Sequence, residues 1–239
     1  MEPWDLKDTS SLVRRQFGRE QETLFRESSR AVNDRKAFSS YHFREAMRLS
    51  KDFERRHLSG ARTILELHVA GAEKKELAFN VFMVKAGAHA LAAIQSLHAI
   101  PDIFAHAVYF GAGQNLRPGA LKDPEISLPR VAASLKKDKE FSGLSAPLTA
   151  LQSGSDWKRL AAVANMSKHR SVVRAAYNED WTGTKPKIRE LHVSAFERNG
   201  VRYPAASLRD VLEPEYDRLL KSIISIGHEL HACLRGRAT

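Results

Sequence analysis

The stretch from Leu77 to Phe110 runs for 34 residues with two formal charges, Lys85 and Asp102. So long an uncharged segment limits the fold to two kinds: a helix buried on all sides in a bundle, or a membrane span, which needs about 20 apolar residues. Lys85, His89, Gln95, His98 and Pro101 all fall inside it. Such groups are costly in hydrocarbon, so a central bundle helix is expected and no membrane partner is. A chain of 239 residues, 43% hydrophobic and 28% charged, can build that core without disulfides or metals. Cys233 is the only cysteine, which excludes an internal disulfide and a cysteine zinc cluster and fits a reducing compartment. The residues MEPWDLKDTS carry charges where a secretion signal needs an apolar core, so the expected location is cytoplasmic.

Around this segment the pattern is helical. From Thr9 to Arg56, Leu12, Phe17, Leu24, Phe25, Val32, Phe38, Phe43 and Met47 recur at helical spacing. They predict one long or two consecutive amphipathic helices, with Thr9, Ser10 and Ser11 as the cap. A helix is expected over Ala61 to Ala70, interrupted by Gly71, then the apolar helix from Glu73 to Ile100. Pro101-Asp102 should kink the chain or start a new helix that stops at Gly111-Ala112-Gly113. Gln114 to Glu125 reads as a loop, and Ser127 as the cap of a short helix to Asp138. A further helix should cover Ala146 to His169, broken at Ser153-Gly154-Ser155. The runs Ser171 to Tyr177, Ile188 to Phe196 and Val201 to Tyr203 are richer in β-branched and aromatic residues, and Asn199-Gly200 is a hairpin signal. Pro214 to Leu234 closes the chain as a helix, with Pro214 in its first turn and Gly236 beyond its end. No repeat or linker divides the sequence. The expected fold is mainly α: a single domain over 1–239, a helical bundle with a small antiparallel β-hairpin (about 188–203) inserted before the C-terminal helix. Residues 1–60 supply N-terminal amphipathic helices and 61–235 the bundle.

The 38 Lys and Arg outnumber the 28 Asp and Glu, leaving a net charge of +10. The excess is concentrated in residues 117–174, with eleven basic against five acidic side chains. Such a run is either a solvated helix face or a groove for phosphate, and it favours RNA or another acidic partner. Only Phe141 and Trp157 are aromatic there, which gives little support to base stacking.

The most pointed group is Asn165-Met166-Ser167-Lys168-His169-Arg170. Asn165 and His169 share a helix face, and Lys168 and Arg170 flank the imidazole with positive charge. That arrangement suits a general base beside phosphate-binding cations; it equally suits a helix end whose dipole welcomes cations. Gln95, His98, Asp102 and His106 form a second group, a polar stripe on the apolar helix. Asp102 could orient His169, or the stripe could be a buried network that fixes helix register. Metal-ligand spacings are incomplete. Glu54-x-x-His57 lacks the second copy a di-iron bundle needs, and His228-x-x-His231 lacks the HExxH spacing. No phosphate-loop, dinucleotide or nucleophile-elbow motif occurs. Neither a metal nor a cofactor is expected.

Asp156-Trp157 followed by Asn165-x-x-Lys168-His169-Arg170, after a helix containing Gln95-x-x-His98-x-x-x-Asp102, resembles the HEPN superfamily (higher eukaryotes and prokaryotes nucleotide-binding domain). The resemblance covers about residues 61–235. It implies an all-α bundle, a homodimer, and the metal-independent endoribonuclease activity that many members show in toxin and antiphage systems. There an Arg-x4-6-His motif from each subunit meets at the interface. The resemblance would make His169 the catalytic histidine, acting on the RNA 2′-hydroxyl, and Asn165 the motif's polar residue. No arginine lies five to seven positions before His169; the nearest upstream, Arg159, is ten away. Lys168, Arg170 or Arg159 then takes that part, or the chain is a non-catalytic module that binds nucleic acid or a partner protein.

Overall fold

The computed structural model describes residues 2–59, 63–68, 73–184 and 189–237. Of these, 72% are helical, in seven α-helices with a small antiparallel sheet before the last. The N-terminal segment forms two helices, α1 (Leu6–Phe17) and α2 (Arg19–His57). Gly18 separates them at φ 92°, a left-handed conformation that suits glycine. The cap of α1 is Asp5, whose carboxylate accepts from the Asp8 N–H at 2.8 Å. The expected capping cluster instead lies one turn inside the helix, with Thr9 and Ser10 buried.

Helix α3 (Glu73–Gly111) passes unbroken through Pro101, so no new helix starts there. Proline removes one backbone donor, and the packing of Leu97, Ile100 and Phe104, all buried, carries the helix through. Glycine ends it as expected. The described part of the Ala61 to Ala70 expectation is a 3-10 turn, Ile64–His68; the rest, with Gly71, lies outside the described residues. Next come α4 (Leu128–Lys136), α5 (Ser145–Ala150) and α6 (Ser155–His169), the last two separated at Ser153-Gly154. Ser127 takes the cap position of α4 without a side-chain bond. Helix α7 (Leu208–Gly236) starts earlier than Pro214, because Ser207 caps it by accepting from the Asp210 N–H at 3.0 Å. Pro214 therefore lies inside the helix, and Gly236 is its last residue.

Strand β1 (Ala175–Glu179) pairs antiparallel with β2 (Arg189–Val193), and β2 with β5 (Ala206–Ser207), in a sheet of order β1-β2-β5. The separate hairpin of β3 (Phe196–Arg198) and β4 (Val201–Tyr203) turns at Asn199-Gly200, with φ 52° and 75°. Two consecutive positive φ values are what an Asn-Gly turn provides. Phe196 and Tyr203 pair directly across it and stack at 4.8 Å.

The helices contribute to two compact units. The first comprises Met1–Lys36, Ala99–Lys158 and Glu215–Thr239. In it Trp4 packs edge-on against Phe25 at 6.1 Å and Phe104 at 6.2 Å. The Trp4 ring fills the space that a Cβ at Gly227 would need. Arg218 bonds the buried Glu215 carboxylate and the Ala150 and Leu151 carbonyls at the end of α5. Burial pushes the Glu215 carboxyl up, and Arg218 draws it back.

The second unit comprises Ala37–His98 and Arg159–Pro214. Phe53 stacks on Phe82 at 4.6 Å, and Tyr177 meets Phe82 edge-on at 5.1 Å. Ser39 donates to the Ala93 carbonyl at 3.0 Å. His42 and His89 share one proton between Nδ1 atoms 2.9 Å apart. By length and composition α3 could cross a membrane, and 28% of its most apolar window is buried. Leu77 and Val84 are 65% and 73% exposed, whereas no residue from Ala90 to Gly111 is exposed. The all-round burial expected of this helix is thus found in its second half.

Replacing Gly227 with Ala should lower stability by about 1–3 kcal/mol through overpacking against Trp4, while Leu77→Ala should change it by less than about 0.5 kcal/mol; urea unfolding compares them. Burial and then His89 hold the His42 pKa below its ordinary value. The unfolded chain therefore takes up the proton first, and this contribution, full above about pH 6.5, is lost as pH falls further. His89→Gln should flatten that slope in a pH series of thermal melts.

Candidate functional site

Leu160, Ala162, Val163 and Ala164 of α6 are buried, and burial decreases toward its end. Asn165, Met166 and Ser167 are half-buried; Lys168, His169 and Arg170 are exposed. The Arg170 and Ser171 N–H groups both donate to the Met166 carbonyl, at 2.9 and 3.0 Å, and close the helix. Ser167 Oγ accepts from the Val173 N–H at 3.3 Å. Among the described residues, none bonds or ion-pairs with the side chains of Asn165, Lys168, His169 or Arg170. The same holds for Arg174, exposed four residues on. Chemically this is an open imidazole between two open cations at the negative pole of a helix. It can hold an anion, and it can also steady the helix end. Arg159 is engaged elsewhere: its guanidinium donates to the Pro204 carbonyl at 3.2 Å.

The expected polar stripe divides between the units. Gln95 and His98 belong to the second and are half-buried. Asp102 and His106 belong to the first. There the Asp102 carboxylate accepts from the Leu128 N–H at 3.2 Å and the Gln152 amide at 3.3 Å. It thus does for α4 what Ser127 was expected to do. His106 donates from Nδ1 to the Asp102 carbonyl at 2.9 Å.

The first unit also carries a cationic groove of about 1080 Å³, lined by Arg117, Arg130, Lys137, Lys139 and Arg237, with Asp138 and Glu140. Asp138 is buried and accepts from Gln114 at 2.5 Å, Arg117 at 2.6 Å and the Glu140 N–H at 3.0 Å, which fixes the loop before α4 to its end. Arg130 pairs with Glu125 and Arg237 with Glu140. Lys137 and Lys139 are exposed and make no such bond. The sequence located the charge excess but not the groove, because Arg237 joins it from the far end of the chain.

The histidines of the metal-like spacings have other contacts. His57 lies against Phe53 at 4.8 Å. His231 meets Thr9 Oγ1 at 2.9 Å and Asp8 at 3.5 Å, and His228 donates to the Glu2 carbonyl at 3.1 Å. Among the described residues no three His, Cys, Asp or Glu side chains stand together as a metal site.

No family model, curated protein or solved structure matches the chain. If Asp102 serves as the cap of α4, Asp102→Ala should lower stability by about 1–2 kcal/mol in thermal unfolding, and Asp102→Asn, which keeps an acceptor oxygen, should recover most of it.

Proposed function

We propose that the protein is directed to RNA and meets the phosphate backbone at the end of α6, through Lys168 and Arg170. The observation that carries this reading is that Lys168, His169 and Arg170 are consecutive, exposed and unbonded among the described residues. Such cations hold phosphates and release their counterions, and the net charge of +10 draws polyanions to the surface. Lys137 and Lys139 offer a second cationic surface of the same kind. A second reading, metal-independent RNA cleavage, is favoured by the openness of the His169 imidazole. His169 would take the 2′-hydroxyl proton as that oxygen attacks phosphorus and the 5′-oxygen leaves, with Asn165 positioning and Lys168 and Arg170 holding the phosphate. The HEPN resemblance supports this reading and adds a cytoplasmic homodimer. The lack of its arginine before His169 supports binding without cleavage, to nucleic acid or to an acidic partner protein.

Salt-dependent binding of a short single-stranded RNA tests the first reading. Lys168→Ala/Arg170→Ala should reduce the log–log salt slope by about 1.4, at about 0.7 per phosphate contact. An unchanged slope and affinity, with a loss of stability alone, would assign the cations to the helix end. Incubating the RNA with EDTA tests the second: cleavage that disappears in a folded His169→Ala variant makes His169 its base, and no cleavage by either leaves the binding reading.

A further inference from the structure

The second unit has a cleft of about 410 Å³ among α2, the β1-β2-β5 sheet and the start of α7. That is the size of a small-molecule pocket. Its base is rigid and internally neutralised. Arg189, with a side chain 9% exposed, bonds Glu179 at 2.7 Å, Glu54 at 3.3 Å and the Leu58 carbonyl at 3.1 Å. Tyr177 also lines the cleft. It is 8% exposed, and its hydroxyl makes no hydrogen bond to another described residue. A buried phenol is normally bonded, so this O–H is a donor aimed at a cavity that lacks its acceptor.

The charge around the cleft sets the kind of acceptor. Glu54 is taken by Arg189, and Glu190 faces His192 at 3.8 Å. Arg209 pairs with Glu213 and lies over the Phe43 ring. Lys51 is exposed and unpaired among the described residues, which leaves the lining with an uncompensated positive charge. Ser207 and Arg209 bring the first turn of the 29-residue α7 to the rim, and a helix N-terminus favours an anion. Met47 and Leu191 give the cleft an apolar wall, and a thioether packs well against an aromatic ring.

We propose that this cleft binds a small aromatic oxyanion, its ring against Met47 and Leu191 and its carboxylate or phosphate-ester head held by Lys51 and the Tyr177 hydroxyl. This site uses none of the residues of the RNA reading and stands without it. Calorimetric titration of the full chain with benzoate and with phenyl phosphate tests it, with inorganic phosphate and benzyl alcohol as the head and the body alone. At least one of the two oxyanions should bind, and whichever does so more tightly identifies the head. Tyr177→Phe, which keeps the ring, and the surface change Lys51→Ala should each weaken binding about tenfold, while Lys168→Ala/Arg170→Ala leaves it unchanged. Failure of both oxyanions to bind would overturn the proposal. So would binding that neither variant weakens, or equal binding of the head or the body alone.

Discussion

Burial of α3 is the constraint that the other elements answer to. Its 39 residues supply core side chains to both units, Phe82 and Ile94 in the second, Ile100, Phe104 and Tyr109 in the first. An apolar helix interrupted at Pro101 would expose unpaired backbone, so the packing must be strong enough to carry it through. A charged group on that helix needs partners too. Asp102 finds them in the Leu128 N–H and the Gln152 amide, and in doing so it fixes the start of α4. In the first unit Trp4, against Phe25 and Phe104, closes the core from outside α1. Its close approach depends on the absence of a side chain at Gly227.

What the sequence made legible were features with a local cause. Asn199-Gly200 specifies its hairpin because both residues accept positive φ, and Gly154 stops one helix where the next begins. Features with a distant cause were not legible. Ser127 looks like a cap, yet the acceptor for α4 comes from Asp102, 26 residues back. Thr9-Ser10-Ser11 looks like a cap as well, but Asp5 reaches the α1 amides first. β5 joins β2 over only His192, Val193, Ala206 and Ser207, too short a pairing to leave a pattern. The candidate site divides in the same way. Lys168, His169 and Arg170 are neighbours in sequence and remain so in space, while the cleft at Tyr177 and Lys51 depends on side chains from α2, β1, β2 and the start of α7.

The distribution of charge separates structural from available cations. Arg117, Arg189 and Arg218 are spent on buried carboxylates and carbonyls, where removing one partner leaves a charge in a poor medium. Lys137, Lys139, Lys168 and Arg170 have no such duty among the described residues. A surplus of open cations costs self-repulsion and repays it only in the presence of an anion. The cations at the end of α6 also face the negative pole of their own helix, which makes stabilisation of that helix the direct competitor to RNA binding.

Amide chemical shifts during titration with a short single-stranded RNA separate these two accounts most directly, because they report contact and helix integrity in one experiment. Binding to RNA predicts saturable, salt-sensitive shifts centred on Lys168 to Arg174, with the rest of α6 unmoved. Saturable binding that leaves those amides unperturbed, or no binding at low salt, would contradict it.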